Sequence, residues 1–434
     1  MPTTSPIPPA APKPPKGQQH DLTFPKRFLW GAATAAHQVE GGNHNQWSVW
    51  ELENAKTLAA QAPYRDAHVP VWNEIKRQAI SPNNYVSGRL ADHYQRFEED
   101  FDLLTAMNMN AYRFSIEWSR VEPKQGQWDA AAVQHYRDYL AALKQRHIEP
   151  VVTLFHFTLP VWFSEMGGFE KRSNIRYFVQ FADRIVRELG KDFRFVITIN
   201  EPDTYVAQGY IEQHFPPQTY GLVKALRVYN NLARAHNKTA KAIRAISPRF
   251  KVSIAKNSPY FYPGDDAWLS RVSALCMQYV QDDYFIKKVI RQCDFLGVNY
   301  YFSNRVYGYR VHNPEKDVSD LGWDMAPGDV EHAITRLHDK YKKPILITEN
   351  GVADHNDDHR KWWIMETLTG VRRAMDEGVP VLGYLHWSLM DNFEWAYGKW
   401  PRFGLASVNY ATGERTLRPS AVWFGKVIKR LRRI

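Results

Sequence analysis

The stretch Phe178-Val-Gln-Phe-Ala-Asp-Arg-Ile-Val-Arg-Glu-Leu189 and, after a Gly-Lys-Asp-Phe-Arg link, Phe195-Val-Ile-Thr198 carries the two periods that decide the fold. Phe178, Phe181, Ile185 and Leu189 recur at the spacing that lines one face of a helix. The aromatic and β-branched run that follows suits a short buried strand. A helix leading directly into such a strand is half of a βα repeat, so the same pair of signals is sought along the rest of the chain.

They recur. Strands are expected at Phe28 to Ala33, Ala111 to Ile116, Pro150 to Phe155, Phe195 to Thr198, Lys251 to Ala255, Phe295 to Val298, Ile345 to Thr348 and Val381 to Leu385. Helical periods lie between and after them: the stripe Tyr94, Phe97, Phe101 and Leu104, then Ala131 to Arg146, Leu222 to Ile246, Trp268 to Phe285, Val330 to Tyr341, Trp362 to Glu377 and Val422 to Leu431. Eight strand–helix repeats specify an α/β fold with a closed (β/α)₈ barrel, which the pattern favours over a doubly wound sheet. Residues 21–434 are assigned to this barrel domain and residues 1–20 to an extended Pro-rich tail. Glu53 to Gly88 interrupts the first repeat without a clean period and is expected to be a long βα loop at the mouth of the barrel.

Composition narrows the function. At 434 residues, with 44% hydrophobic and 24% charged, the chain resembles ordinary globular proteins. No apolar run reaches membrane-spanning length and Met1 to Gln18 has no apolar core of a secretion signal, so a cytoplasmic protein with no membrane partner is expected. Cys276 and Cys293 are too few for a disulfide framework and read as buried small hydrophobes. The net charge of +10 culminates in Lys426-Val-Ile-Lys429-Arg430-Leu-Arg432-Arg433, but cations at a helix C-terminus favour its dipole without a nucleic-acid partner. The 15 Trp, 23 Tyr and 22 Phe fit either core packing or stacking on flat ligand faces.

Polar or aromatic residues close most of the expected strands: His156 after the third, Asn200 and Glu201 after the fourth, Asn299 to Tyr301 after the sixth, Glu349 after the seventh and Trp387 after the eighth. A barrel gathers its strand ends on one face, so these groups share one site. Glu201 and Glu349 then face each other. Paired carboxyls suit hydrolysis of a glycosidic bond, one acid protonating the leaving oxygen and one carboxylate meeting the anomeric carbon.

Beyond this pairing, the chain resembles glycoside hydrolase family 1, the β-glucosidase and β-glycosidase family. The resemblance runs from Phe24 to Phe424 through Phe28-Leu-Trp-Gly-Ala-Ala-Thr-Ala-Ala-His-Gln-Val-Glu-Gly41, Ala111-Tyr-Arg-Phe-Ser-Ile-Glu-Trp118, His156, Thr198-Ile-Asn-Glu-Pro202, Asn299-Tyr-Tyr301, Ile347-Thr-Glu-Asn-Gly351, Trp387-Ser-Leu-Met-Asp-Asn-Phe-Glu-Trp395, Arg402-Phe-Gly-Leu405 and Arg415-Thr. It implies a retaining, exo-acting β-glycosidase, a β-glucosidase with side activity on other β-glycosides such as β-galactosides, that takes small β-glycosides or oligosaccharides and needs no cofactor or metal. Glu201 would be the acid/base, Glu349 the nucleophile, Arg113 and Tyr301 its neighbours, and Asn200 the holder of the 2-hydroxyl. Gln38, His156, Asn299, Glu394 and Trp395 would bind the sugar, with Trp387 as its stacking floor and Phe403 beside it.

Three segments depart from the family pattern: His37 precedes Gln38, His156-Phe-Thr-Leu-Pro160 replaces His-Trp-Asp-Leu-Pro, and Lys399 follows Gly398 where an aromatic is usual. Lys399 is expected to be a mobile cation at the pocket rim. A 6-phospho-β-glycosidase would need a phosphate reader where Glu394 stands, and a catalytically silent sugar- or polyanion-binding barrel would have no use for both Glu201 and Glu349. His355 and His359 flank an acidic stretch that reads more simply as a solvated loop than as a metal site.

Overall fold

A computed structural model describes residues 22–313 and 317–432, so the Pro-rich tail falls outside the described residues. The eight expected strands form one closed barrel: β1 (Leu29–Ala33), β2 (Ala111–Ser115), β3 (Glu149–Phe155), β4 (Phe195–Asn200), β5 (Lys251–Asn257), β6 (Leu296–Asn299), β7 (Ile345–Glu349) and β8 (Val381–Trp387). Each pairs in parallel with the next and β8 closes on β1, with Leu29 opposite Gly383 and Ala33 opposite Trp387. Asn200, Asn299, Glu349 and Trp387 are thus the last residues of their strands.

Residues alternate inward and outward along a strand, and those pointing in from successive strands fill the barrel. Leu29, Ala111, Val151, Phe195, Ile197, Ala255, Leu346 and Leu385 pack as one buried cluster with Phe295. Outside, the helix Ile175–Leu189 lays Phe178, Phe181, Ile185 and Leu189 on the sheet with no exposed surface. Each such side chain contributes about 1.5–3 kcal/mol of burial free energy.

Residues 53–88 are more ordered than the sequence pattern suggests. A helix spans Gln46–Arg65, started by a reciprocal Asn45–Ser48 capping box, and is followed by Trp72–Ala79 and a short 3-10 turn at Pro82–Tyr85. From residue 53 on, the buried stripe of the longer helix, Ala55, Leu58, Ala59 and Ala62, has helical spacing but is mostly alanine, so it carries little hydrophobic contrast.

Two further expectations are corrected. Helix Trp268–Gln278 does not run unbroken to Phe285: a π-helical turn at Tyr279–Asp283 intervenes before Tyr284–Val289. Cys293 is buried, whereas Cys276 is exposed on the outer face of its helix. The C-terminal helix, Pro419–Leu431, carries Lys429 and Arg430 in its last turn. No helix among the described residues is long and apolar enough to cross a membrane.

Candidate active site

The C-terminal ends of the strands enclose a cavity of about 490 Å³. His156, Asn200, Glu201, Tyr301, Glu349, Trp387, Glu394, Trp395 and Phe403 all line it. Arg113 and Asn299 stand directly behind the carboxyls, in contact with them.

Local backbone geometry aims the two acids. Glu201 leaves β4 in the left-handed region (φ 39°, ψ 65°), a conformation costing a non-glycine residue about 1–3 kcal/mol. Pro202 opens the next helix, Pro202–Tyr210, and a bond from the Glu201 amide to the Ala255 carbonyl (2.8 Å) fixes the turn. After β7, Gly351 lies so close to Trp387 that a Cβ would sit 1.8 Å from the Trp387 carbonyl oxygen. Only glycine lets the Glu349 loop pack against the end of β8.

The carboxyls differ in their surroundings. Arg113, fully buried on β2, donates to Glu349 Oε1 (2.6 Å), to the Thr348 carbonyl (3.2 Å), and to Asn200 Oδ1 (2.6 Å). The Tyr301 hydroxyl donates to Glu349 Oε2 (2.6 Å). Glu201 has no cation: Asn299 Nδ2 donates to its Oε1 (2.8 Å), while Thr348 Oγ1 holds the Asn299 amide from behind (2.7 Å). Burial pushes the Glu201 carboxyl up to about 8, and the charges of Glu349 and Asp203 add to the effect. Burial also raises Glu349, but there Arg113 and Tyr301 oppose it, so Glu349 ionises first.

Polar atoms around the cavity remain open. Asn200 Nδ2 meets His156 Nε2 (3.1 Å), leaving His156 Nδ1 buried without a partner. Burial and the nearby Arg113 hold this imidazole well below its ordinary pKa, hence neutral. Glu394 takes a bond from Trp387, its Oε2 is buried without a partner, and burial plus Glu349 and Glu201 push it up to about 8. Gln38 stands behind the cavity wall, its Nε2 donating to Asn392 (3.0 Å) and to the Phe393 carbonyl (2.8 Å), while its Oε1 is unpartnered.

The three departures fall around this floor. The His37 ring stacks on Trp395 (5.8 Å, 12°), and Phe157 packs edge-on against Trp395 (5.2 Å). Lys399 is not a rim cation: it lies off the cavity wall, partly buried, its amide bonded to Asn84 (3.0 Å) and its ammonium facing the Glu51 charge. Arg65 and His68, from the helical segment after β1, reach the mouth instead. Arg65 is paired with Asp66 (2.7 Å). The acidic stretch near His355 is committed to structure, since Asp354 accepts the backbone amides of His359 (2.9 Å) and Arg360 (2.8 Å).

Sequence reasoning missed Asp203, Gln208, Asn257, Gln281 and Trp323, which also line the cavity. Asp203 carried a signal, being two residues beyond Glu201, and so did Asn257, a polar residue that closes β5 two residues past the end expected for that strand. Gln208 lies further along the helix of Asp203, while Gln281 and Trp323 sit in excursions after β5 and β6 whose approach depends on tertiary packing.

A closed barrel with two unequal buried carboxyls at its mouth defines a glycoside hydrolase. The chain belongs to glycosyl hydrolase family 1, whose model matches residues 20–292 and 277–432. It is 29% identical over 465 residues to beta-glucosidase A of Acetivibrio thermocellus, covering 94% of this chain and 98% of the relative. It is 27% identical over 481 residues to a 6-phospho-beta-galactosidase of Clostridium acetobutylicum, covering 93% and 96%. Among solved structures it resembles a beta-glycosidase from Pyrococcus horikoshii, with a TM-score of 0.83, 33% identity and coverage of 94% of this chain and 95% of that one.

Proposed function

We propose that this family 1 glycosidase removes unphosphorylated terminal β-glucosyl residues from β-glycosides by double displacement, with Glu349 as nucleophile and Glu201 as acid and base. The observation that carries the assignment is the asymmetry of the carboxyls. Glu349, held by a guanidinium and a phenol, is the group that stays ionised to attack; Glu201, buried without a cation, is the group that keeps a proton to give. The 2-hydroxyl of the sugar is assigned to Asn200 and the 4- and 6-hydroxyls to Glu394, whose open Oε2 accepts from hydroxyls. Neutral His156 offers a further polar edge, and Trp387 a face for the ring.

Glucose is preferred to its 6-phosphate because a dianion beside Glu394 would lose its water without gaining a free cation: Arg65 at the mouth is paired with Asp66, and Lys399 does not line the cavity. Matched aryl glucosides should differ in kcat/KM by on the order of 100-fold in favour of the free sugar, the scale of a buried charge left without a partner. Higher efficiency on the phosphorylated substrate would overturn this reading and favour a phospho-glycosidase.

The pH profile is a second test. Activity needs ionised Glu349 and protonated Glu201, so kcat/KM should rise through an acidic limb above the usual carboxylate range and fall near 8. Glu394 shares the pocket, so the basic limb belongs to coupled groups. Removing the Glu394 charge makes ionisation of Glu201 easier, and Glu394→Gln should therefore move the basic limb to lower pH. A limb that stays in place would disprove that coupling.

A further inference from the structure

The group that Glu201 would protonate leaves toward the cavity mouth, so the residues just beyond Glu201 meet the leaving group. Asp203 is the nearest of these, on the first turn of Pro202–Tyr210, and lines the cavity with its side chain 13% exposed. Two contacts fix its carboxylate. Lys256 Nζ, at the end of β5 and 1% exposed, lies 2.8 Å from Oδ1, and Gln281 Nε2 donates to Oδ2 (2.7 Å).

The anchor is built from behind. Lys256 Nζ also donates to the Asn257 carbonyl (2.7 Å) and lies 3.7 Å from buried Asp282, which pairs with Arg336 and accepts from Gln278 (2.8 Å). Gln281 donates to the same Asn257 carbonyl (3.0 Å). Gln278, Gln281 and Asp282 stand at i, i+3 and i+4 around the turn at Tyr279–Asp283, the spacing that gathers side chains on one helix face. A buried lysine between two aspartates ties Asp203 to the end of β5 and fixes its position.

We propose that Asp203, anchored by Lys256 and Gln281, accepts a hydrogen bond from a hydroxyl of the leaving group, so that the site favours a second sugar over an aryl or alkyl aglycone. The proposal rests on the assignment of Glu201 as acid. With Lys256 already paired to Asp203, the wall offers oriented acceptors that suit hydroxyl donors. Gln208, Asn257 and Gln281 extend this polar wall, while Phe302 and Trp323, in edge contact at 5.6 Å, supply an apolar face beyond β6. Directed acceptors beside an aromatic face match the two sides of a sugar ring.

The test compares leaving groups within each enzyme. In Asp203→Asn, kcat/KM for β-linked glucose disaccharides should fall about tenfold or more, while that for a nitrophenyl β-glucoside should change by less than about threefold, since only the former loses a bond to a charged acceptor. In the unmodified enzyme, removing the leaving sugar's hydroxyls one at a time should identify one position that costs about tenfold, with no further loss at that position in Asp203→Asn. Equal falls on both substrate types, no fall on either, or no sensitive hydroxyl in the unmodified enzyme would overturn the role of Asp203 and leave the glycosidase reading standing. The hydroxyl series alone decides the matter should the variant not fold. Failure of the unmodified enzyme to turn over either substrate would instead overturn the reading beneath the proposal.

Discussion

Glu349→Gly is expected to abolish hydrolysis, lowering kcat by roughly 10⁴-fold or more, since no other group at the cavity floor is positioned to form the glycosyl–enzyme bond. The substitution also leaves a space against Arg113 and Tyr301, which donate to Glu349 at 2.6 Å each. An azide ion entering that space would regain part of the lost charge pairing. With an activated aryl glucoside, azide should attack the anomeric carbon from the side Glu349 occupied, the C–O bond breaking as the C–N bond forms, and give the α-glycosyl azide. The β-anomer from this variant would reverse the assignment of the two carboxyls. Removing one partner of a buried ion pair costs about 3–5 kcal/mol, so a thermal melt should accompany the assay to confirm that the variant is folded.

How much of this was legible in the sequence follows from what each residue pairs with. The barrel strands could be read because their buried runs, such as Phe195-Val-Ile-Thr198, are β-rich and bounded by helical stripes of large side chains. Glu201 and Glu349 could be read as a pair only because the barrel places strand ends together, and their different roles lie in contacts that no spacing reveals: Arg113 reaches Glu349 from β2, across the barrel. The helical character of residues 53–65 was illegible because the buried stripe there is largely alanine and Pro63 falls inside it.

Lys399 and Lys256 illustrate the same limit from opposite sides. Lys399 reads in sequence as a rim cation, and nothing in the sequence singles out Lys256. Lys399 is drawn off the wall by a turn at Gly398 (φ 76°) pressed against Asn84, whereas Lys256 is sealed between aspartates from two other segments. The exposure of Cys276 has a related cause, since a helix period locates a buried face only when something covers it.

Glu201→Ala should separate the two chemical steps. For substrates whose leaving group must be protonated, such as β-linked disaccharides, losing the general acid should reduce kcat/KM by about 10²–10⁴-fold. For a dinitrophenyl glucoside, whose leaving group departs without a proton, the first step should survive, because Glu349, Arg113 and Tyr301 are untouched. The glycosyl–enzyme then accumulates, since no base remains to activate water, and a burst of dinitrophenolate should precede slow turnover. Azide needs no base. It should speed turnover by attacking the intermediate from the side opposite Glu349, breaking the ester bond and giving the β-glycosyl azide. Burial has pushed Glu201 up to about 8, so the basic limb should also disappear from kcat/KM on the activated substrate. A variant that loses activated and unactivated substrates alike, with neither burst nor azide product, would remove Glu201 from the acid/base role.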